Sequence, residues 1–121
     1  MKISRDNLFI YRDRRYNKET ANENQLKCKD IIIDNNTAKV YKNGREIIFT
    51  SLEYRILFML VNNKNMLVTR EQILDKIWDM AGNFVNDNTL TVYIKRIREK
   101  LDDKQGKIIQ TVRGIGYRVV E

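Results

Sequence analysis

Histidine is absent from this 121-residue chain, and so is proline. Without histidine there is no His-based catalytic triad, no His-containing zinc site and none of the commonest general base. The single cysteine, Cys28, allows no intrachain disulfide and fits a reducing, cytoplasmic setting. It stands beside alternating residues and reads as a small packed filler rather than a nucleophile. Lacking proline, the chain must build its turns from Asn and Gly. No apolar run approaches the ~20 residues that span a bilayer. Met1-Lys2-Ile3-Ser4-Arg5 has no apolar signal core behind it, so no membrane segment is expected. No cofactor, metal site or enzymatic activity is expected either.

What is present is one domain's worth of chain with 42% hydrophobic residues, enough for a single core. Lys and Arg number 23 against 16 Asp and Glu, a net charge of +7. Such an excess favours polyanionic partners, nucleic acid or an anionic surface, although a merely well-solvated basic protein has the same balance. Residues 1–25 are polar, with Phe9, Tyr11 and Tyr16 scattered through them without period, and read as a linker or tail. The folded domain is expected over 26–121.

Strand signals come first. Asp30-Ile31-Ile32-Ile33-Asp34 is short and β-branched, Asp34-Asn35-Asn36 is a turn cluster, and Ala38-Lys39-Val40-Tyr41 alternates. Asn43-Gly44 before Ile47-Ile48-Phe49 predicts a type I′ hairpin turn, because both central positions need φ > 0. Helices follow. Thr50-Ser51-Leu52-Glu53 fits a capping box leading into Ile56, Leu57 and Leu60. A second box, Thr69-Arg70-Glu71-Gln72, opens a helix expected to bury Ile73, Leu74, Ile77 and Trp78. Met66-Leu67-Val68 between the helices reads as a one-bridge strand, and residues 79–85 as a loop. A third helix is predicted over 87–101, where Leu90, Ile94, Ile97 and Leu101 share a narrow stripe at ~100° per residue. Lys107–Val112 and Tyr117–Val120 are two strands joined by Arg113-Gly114-Ile115-Gly116.

If that stripe faces the core, the opposite face of the third helix carries Asn88, Thr89, Val92, Lys95, Arg96 and Glu99. Tyr93 and Lys100 lie on one flank, Thr91 and Arg98 on the other. Arg and Lys can donate to guanine O6 and N7, and Val or Thr methyls can touch a thymine methyl. A hairpin with Arg113 at its tip suits a minor groove, where the potential is most negative. The plainer alternatives are a solvated helix with a Lys95–Glu99 pair and a hairpin that only adds stability.

These segments carry a resemblance. Phe49-Thr50-x-x-Glu53, Val68-Thr69-Arg70-Glu71-Gln72-Ile73-Leu74 with Ile77-Trp78, the run Asn88 to Leu101, and Ile109-Gln110-Thr111-Val112-Arg113-Gly114-Ile115-Gly116-Tyr117-Arg118 resemble the effector domain of OmpR/PhoB-class response regulators. The resemblance implies an α+β winged helix-turn-helix fold with an N-terminal four-stranded antiparallel sheet, three helices and a C-terminal β-hairpin wing. It implies sequence-specific binding of double-stranded DNA, with recognition helix 87–101 in the major groove and wing 107–120 at the minor groove. Thr89, Val92 and Arg96 are then expected to contact bases. Asn88, Lys95, Arg98, Arg70 and Trp78 are expected to contact phosphates, as are Thr111, Arg113 and Tyr117 on the wing. Members of the class usually bind direct repeats as head-to-tail pairs, and in some the loop before the recognition helix touches RNA polymerase; Met80 and Phe84 occupy that place. The chain departs from the class at Asn88, Thr91 and Tyr93, where Arg, Asp and His are common, which bears on the preferred site and not on the fold. A full-length regulator would add a receiver domain and a cognate sensor kinase, and 25 residues cannot supply the receiver.

Two other classes fit parts of the chain. Tyr117 beside Arg113 and Arg118 has the look of a strand-transfer nucleophile, but the sequence lacks the activating His and carboxylate groups such chemistry uses. A winged-helix module that binds protein rather than DNA is the other alternative, separable by the salt dependence of binding.

Overall fold

The computed structural model describes residues 25–81 and 87–121. The expected tail lies outside them except for Gln25, which opens the first strand one residue ahead of the expected domain start. Strands β1 (Gln25–Cys28), β2 (Ile31–Asp34), β3 (Lys39–Lys42) and β4 (Arg45–Ile47) form an antiparallel meander in chain order. Asn43 and Gly44 take φ of 53° and 80°, the two left-handed positions that an I′ turn demands, and Lys42 pairs with Arg45 across it. At the preceding corner the Asn36 N–H donates to Asp34 Oδ1 at 3.0 Å, an Asx turn. Cys28 faces Ile31, and Ile33 faces Val40, so all four share the buried side of the sheet. Cys28 is the packed filler expected of it, with Sγ 3.8 Å from the Val120 carbonyl.

Helix α1 (Ser51–Asn62) starts where the capping box placed it. The Glu53 N–H donates to Thr50 Oγ1 at 3.2 Å, and the Thr50 N–H to Glu53 Oε1 at 2.9 Å. The helix buries Ile56, Leu57, Leu60 and Val61 and packs against β1, both other helices and the last strand, so the core is built around it. Strand β5 (Val68–Thr69) runs directly into helix α2 (Arg70–Ala81). There the Gln72 N–H donates to Thr69 Oγ1 at 3.1 Å and the Thr69 N–H to Gln72 Oε1 at 2.9 Å, the second reciprocal box. Of the expected four-residue stripe, α2 fully buries Ile73 and Ile77, whereas Leu74 is half-buried and Trp78 is 46% exposed. The two isoleucines take the centre of the inward face, and residues one position on fall about 100° round the helix, at its edge. The expected loop 79–85 is also shorter, because α2 continues through Ala81, and its remainder lies outside the described residues.

Helix α3 (Asp87–Lys100) is followed by β6 (Ile109–Val112) and β7 (Gly116–Val119). The first strand is trimmed relative to the sequence reading, and the second keeps its length but begins and ends one residue earlier. The Lys107 and Ile108 amides are taken by the Asp103 carboxylate instead of a ladder, and Gly116 pairs with Val112 within the hairpin. β5 joins this hairpin in a three-stranded sheet of order β5-β7-β6, so the segment between α1 and α2 is the third strand of the wing. This is the expected α+β winged helix-turn-helix.

Candidate nucleic-acid interface

Helix α3 is oriented by its aliphatic seam. Leu90, Ile97 and Leu101 are fully buried and Ile94 is 1% exposed. Each contributes roughly 1.5–3 kcal/mol of burial, far more than the surface charge pairs on the other side, so the seam and not the charges sets the rotation of the helix. The opposite face is thereby left open. Asn88, Thr91, Val92, Lys95, Arg96 and Glu99 are exposed, and Thr89 is half-buried. Val92 is 46% exposed, an apolar group in the middle of a polar face. The Arg96 guanidinium lies 5.7 Å from the Tyr93 ring centroid, a cation–π contact that limits its wandering.

Lys100 does not join that face, although the helical wheel put it on a flank with Tyr93. Its Nζ donates to Glu53 Oε1 at 2.6 Å and lies 5.3 Å from the Phe49 ring centroid. It therefore fastens the end of α3 to the start of α1. Burial pushes the Glu53 carboxyl up, but hydrogen bonds from Lys100 and Thr50, with the Lys100 charge, outweigh it and hold the group below its ordinary value. Lys42 Nζ donates to the Leu101 carbonyl at 2.6 Å, placing a second cation at the negative end of α3.

The wing is held as firmly. Its turn closes through the Ile115 N–H to the Val112 carbonyl at 2.9 Å, with Gly114 at φ 75°. The Arg70 N–H, at the start of α2, donates to the Ile115 carbonyl at 3.0 Å and straps the turn to the helix-turn-helix. β5 pairs with β7 through Val68–Tyr117 and Thr69–Gly116, and a Cβ on Gly116 would lie 2.1 Å from the Val68 carbonyl oxygen. Arg113 and Thr111 are exposed, and Ile115 at the turn is 47% exposed.

Tyr117 is 3% exposed and belongs to the core. The period of two puts it on the same side of the sheet as Val119 and Ile109, so it packs inward, away from the phosphate contact that the resemblance implied, and a buried Tyr117 is poorly placed as a strand-transfer nucleophile. Arg98 is also drawn inward. Its Nε and Nη2 donate to the Ile109 carbonyl at 3.0 and 2.6 Å, and Nη2 donates to Thr111 Oγ1 at 2.8 Å, so two residues expected to meet phosphates hold each other. Arg70 is half-buried, and its Nε has no hydrogen-bond partner. Trp78 stands out from α2. Met80 lies on the last turn of α2, and Phe84 is outside the described residues.

One residue of this region was missed altogether. Asp103 is 5% exposed, and its carboxylate accepts from the Lys107, Ile108 and Ile109 amides at 2.7, 3.0 and 2.9 Å. It shapes the bend between recognition helix and wing. Its only sequence signal is an Asp just past a helix end, which is too common to single out. Among the described residues, no group of three or more His, Cys, Asp or Glu is placed to hold a metal ion, and no helix is long and apolar enough to cross a membrane.

Residues 44–119 match the family described as transcriptional regulatory protein, C terminal. The response regulator ArlR of Staphylococcus aureus is 46% identical over 88 residues, covering 72% of this chain and 40% of ArlR, so the chain spans well under half the length of that relative. Among solved structures, the Thermotoga maritima response regulator DrrB, an OmpR/PhoB homolog, superposes with a TM-score of 0.74 at 26% identity, covering 92% of this chain and 56% of DrrB. The DNA-binding domain of the response regulator AdeR, solved in complex with an intercistronic region, gives a TM-score of 0.65 at 26% identity, covering 78% of this chain and 97% of that one.

Proposed function

The chain belongs to the C-terminal domain family of OmpR/PhoB-type transcriptional regulatory proteins, and from that premise we propose how it reads DNA. It binds double-stranded DNA sequence-specifically, with α3 in the major groove and the β6–β7 wing at the minor groove. The observation that carries this is the pairing of an aliphatic seam buried to 0–1% with an opposite face on which Asn88, Val92, Lys95 and Arg96 are all exposed. Arg96 and Val92 read base edges, where a bidentate Arg–guanine pair is worth ~1–3 kcal/mol of discrimination. Asn88 and Lys95 meet phosphates, and Thr89 contributes near the positive end of α3. Arg113 enters the minor groove from a turn fixed at both ends. The AdeR complex supports this reading by likeness of fold. We extend it to direct repeats occupied head to tail, a polymerase contact at the end of α2, and a receiver domain with its kinase in a longer cytoplasmic protein.

Selection of bound sequences from a random duplex pool, followed by salt titration on the winner, tests it. The expected result is an enriched repeat about one helical turn in period, with log affinity falling by about 0.9 per phosphate contact for each unit of log salt. No enrichment, or binding indifferent to salt, would overturn it in favour of the protein-binding module.

A further inference from the structure

Arg98 lies at the junction between the two DNA-reaching elements. Its fork closes on the Ile109 carbonyl with two donors, 3.0 and 2.6 Å, and on Thr111 Oγ1 at 2.8 Å. Ile109 is held at its other backbone group too, because its N–H donates to Asp103 Oδ2 at 2.9 Å. Asp103 in turn donates its own N–H to the Arg98 carbonyl at 2.7 Å. A closed loop of bonds thus runs from the last turn of α3 through Asp103 to the first residue of β6 and back through the guanidinium. Gly106 lines this loop at φ 71°, and a Cβ there would sit 3.4 Å from Arg98 Nη2, in contact with it. A planar fork with fixed donors can hold such an angle, whereas a lysine ammonium supplies only a point charge.

We propose that Arg98 is a positioning residue, which sets the angle between recognition helix and wing so that both grooves are met by one rigid body. This rests on the DNA-binding reading given above and adds that Arg98 acts through the wing rather than by its own charge. Holding two contacts at fixed spacing removes the ordering cost that a loose wing would incur on binding. The consequence is energetic coupling between Arg98 and Arg113, which lie on opposite sides of that junction.

The test is a double-mutant cycle on DNA affinity. The probe is a labelled duplex selected from a random pool by the wild-type chain, and all variants are first checked for an unchanged far-ultraviolet spectrum. Arg113→Ala and Arg98→Ala are each expected to weaken binding about tenfold, the scale of a hydrogen bond to a charged group. In the Arg113→Ala background, Arg98→Ala is expected to cost less than about threefold more, a coupling within the range seen for residues acting as a unit. Arg98→Lys is expected to behave like Arg98→Ala, because charge without the fork does not hold the angle. Thr111→Val, which leaves the core untouched, is expected to give a smaller loss that also vanishes in the Arg113→Ala background. Multiplicative losses, or an Arg98→Lys variant that binds like wild type, would overturn the proposal and make Arg98 an independent phosphate contact. A wild-type chain that selects no duplex would instead overturn the DNA-binding reading itself, and this inference with it.

Discussion

Two glycines in the wing separate close approach from conformational need, and substituting each by alanine measures both. At Gly116 an added Cβ would lie 2.1 Å from the Val68 carbonyl oxygen and 2.7 Å from Thr69 Cα. Both obstacles are backbone, so neither can rotate away. Ordinary contact between such atoms is near ~3.5 Å, so β5 must retreat from β7 by more than an ångström. Overpacking of this kind costs about 1–3 kcal/mol, and weakening the short β5–β7 ladder adds roughly 0.5–1.5 kcal/mol per hydrogen bond lost. The expected total for Gly116→Ala is about 3 kcal/mol, or a melting temperature lower by roughly 12–24 °C for a domain of this size. At Gly114 φ is 75° and nothing lies within 4 Å of an added Cβ. There alanine pays only the left-handed backbone cost, about 1–2 kcal/mol. Thermal melts followed by circular dichroism compare the two. Gly116→Ala melting no lower than Gly114→Ala would refute the claim that backbone contact, rather than turn geometry, ties the wing to the helix-turn-helix.

Ile94→Ala should cost roughly 2–5 kcal/mol by urea denaturation; an unchanged midpoint would mean that α3 is rotated from its seam. Glu53 sits below its ordinary carboxyl value, so its stabilisation is complete above about pH 4.3 and is lost as pH falls through the lower folded-state value. Glu53→Gln should therefore lower the urea midpoint at pH 7, with the gap to wild type narrowing towards pH 3; a gap of constant size would place the effect elsewhere than in the Lys100 pair. Arg96→Ala should weaken binding to the selected duplex by ~1–3 kcal/mol and relax its base preference. Equal loss on random duplex, measured by fluorescence anisotropy, would demote Arg96 to a phosphate contact.

The features legible in the sequence are those whose cause is local. Asn43-Gly44 forces its turn, each Thr box satisfies the amides of its own helix, and the spacing of Leu90, Ile94, Ile97 and Leu101 fixes one face by geometry alone. Strand β1 was not singled out from its residues, because Gln25–Cys28 alternates over only four positions, and only the family resemblance called for a fourth strand. The partners of Lys100 and Arg98 were illegible for a different reason. A helical wheel places a residue on a face but does not say where a long side chain ends, and these two reach Glu53 and Ile109 on other elements. Trp78 and Tyr117 went opposite ways for related causes. An aromatic beside a buried stripe was read as core and stands at its edge, while one near a glycine turn, given a DNA contact by the family resemblance, lies on the inner side of its strand as a packing residue.

The wing's third strand comes from far upstream. Val68 and Tyr117 are paired although they stand roughly fifty positions apart, and closing so long a segment is a slow event in folding. The four-stranded meander, by contrast, joins neighbours in sequence and needs no such search. A chain on its way to the native state would therefore possess its first sheet well before its hairpin had a mate. Until that pairing forms, β7 has a neighbour on one side alone and the hairpin is not yet tied to the start of α2.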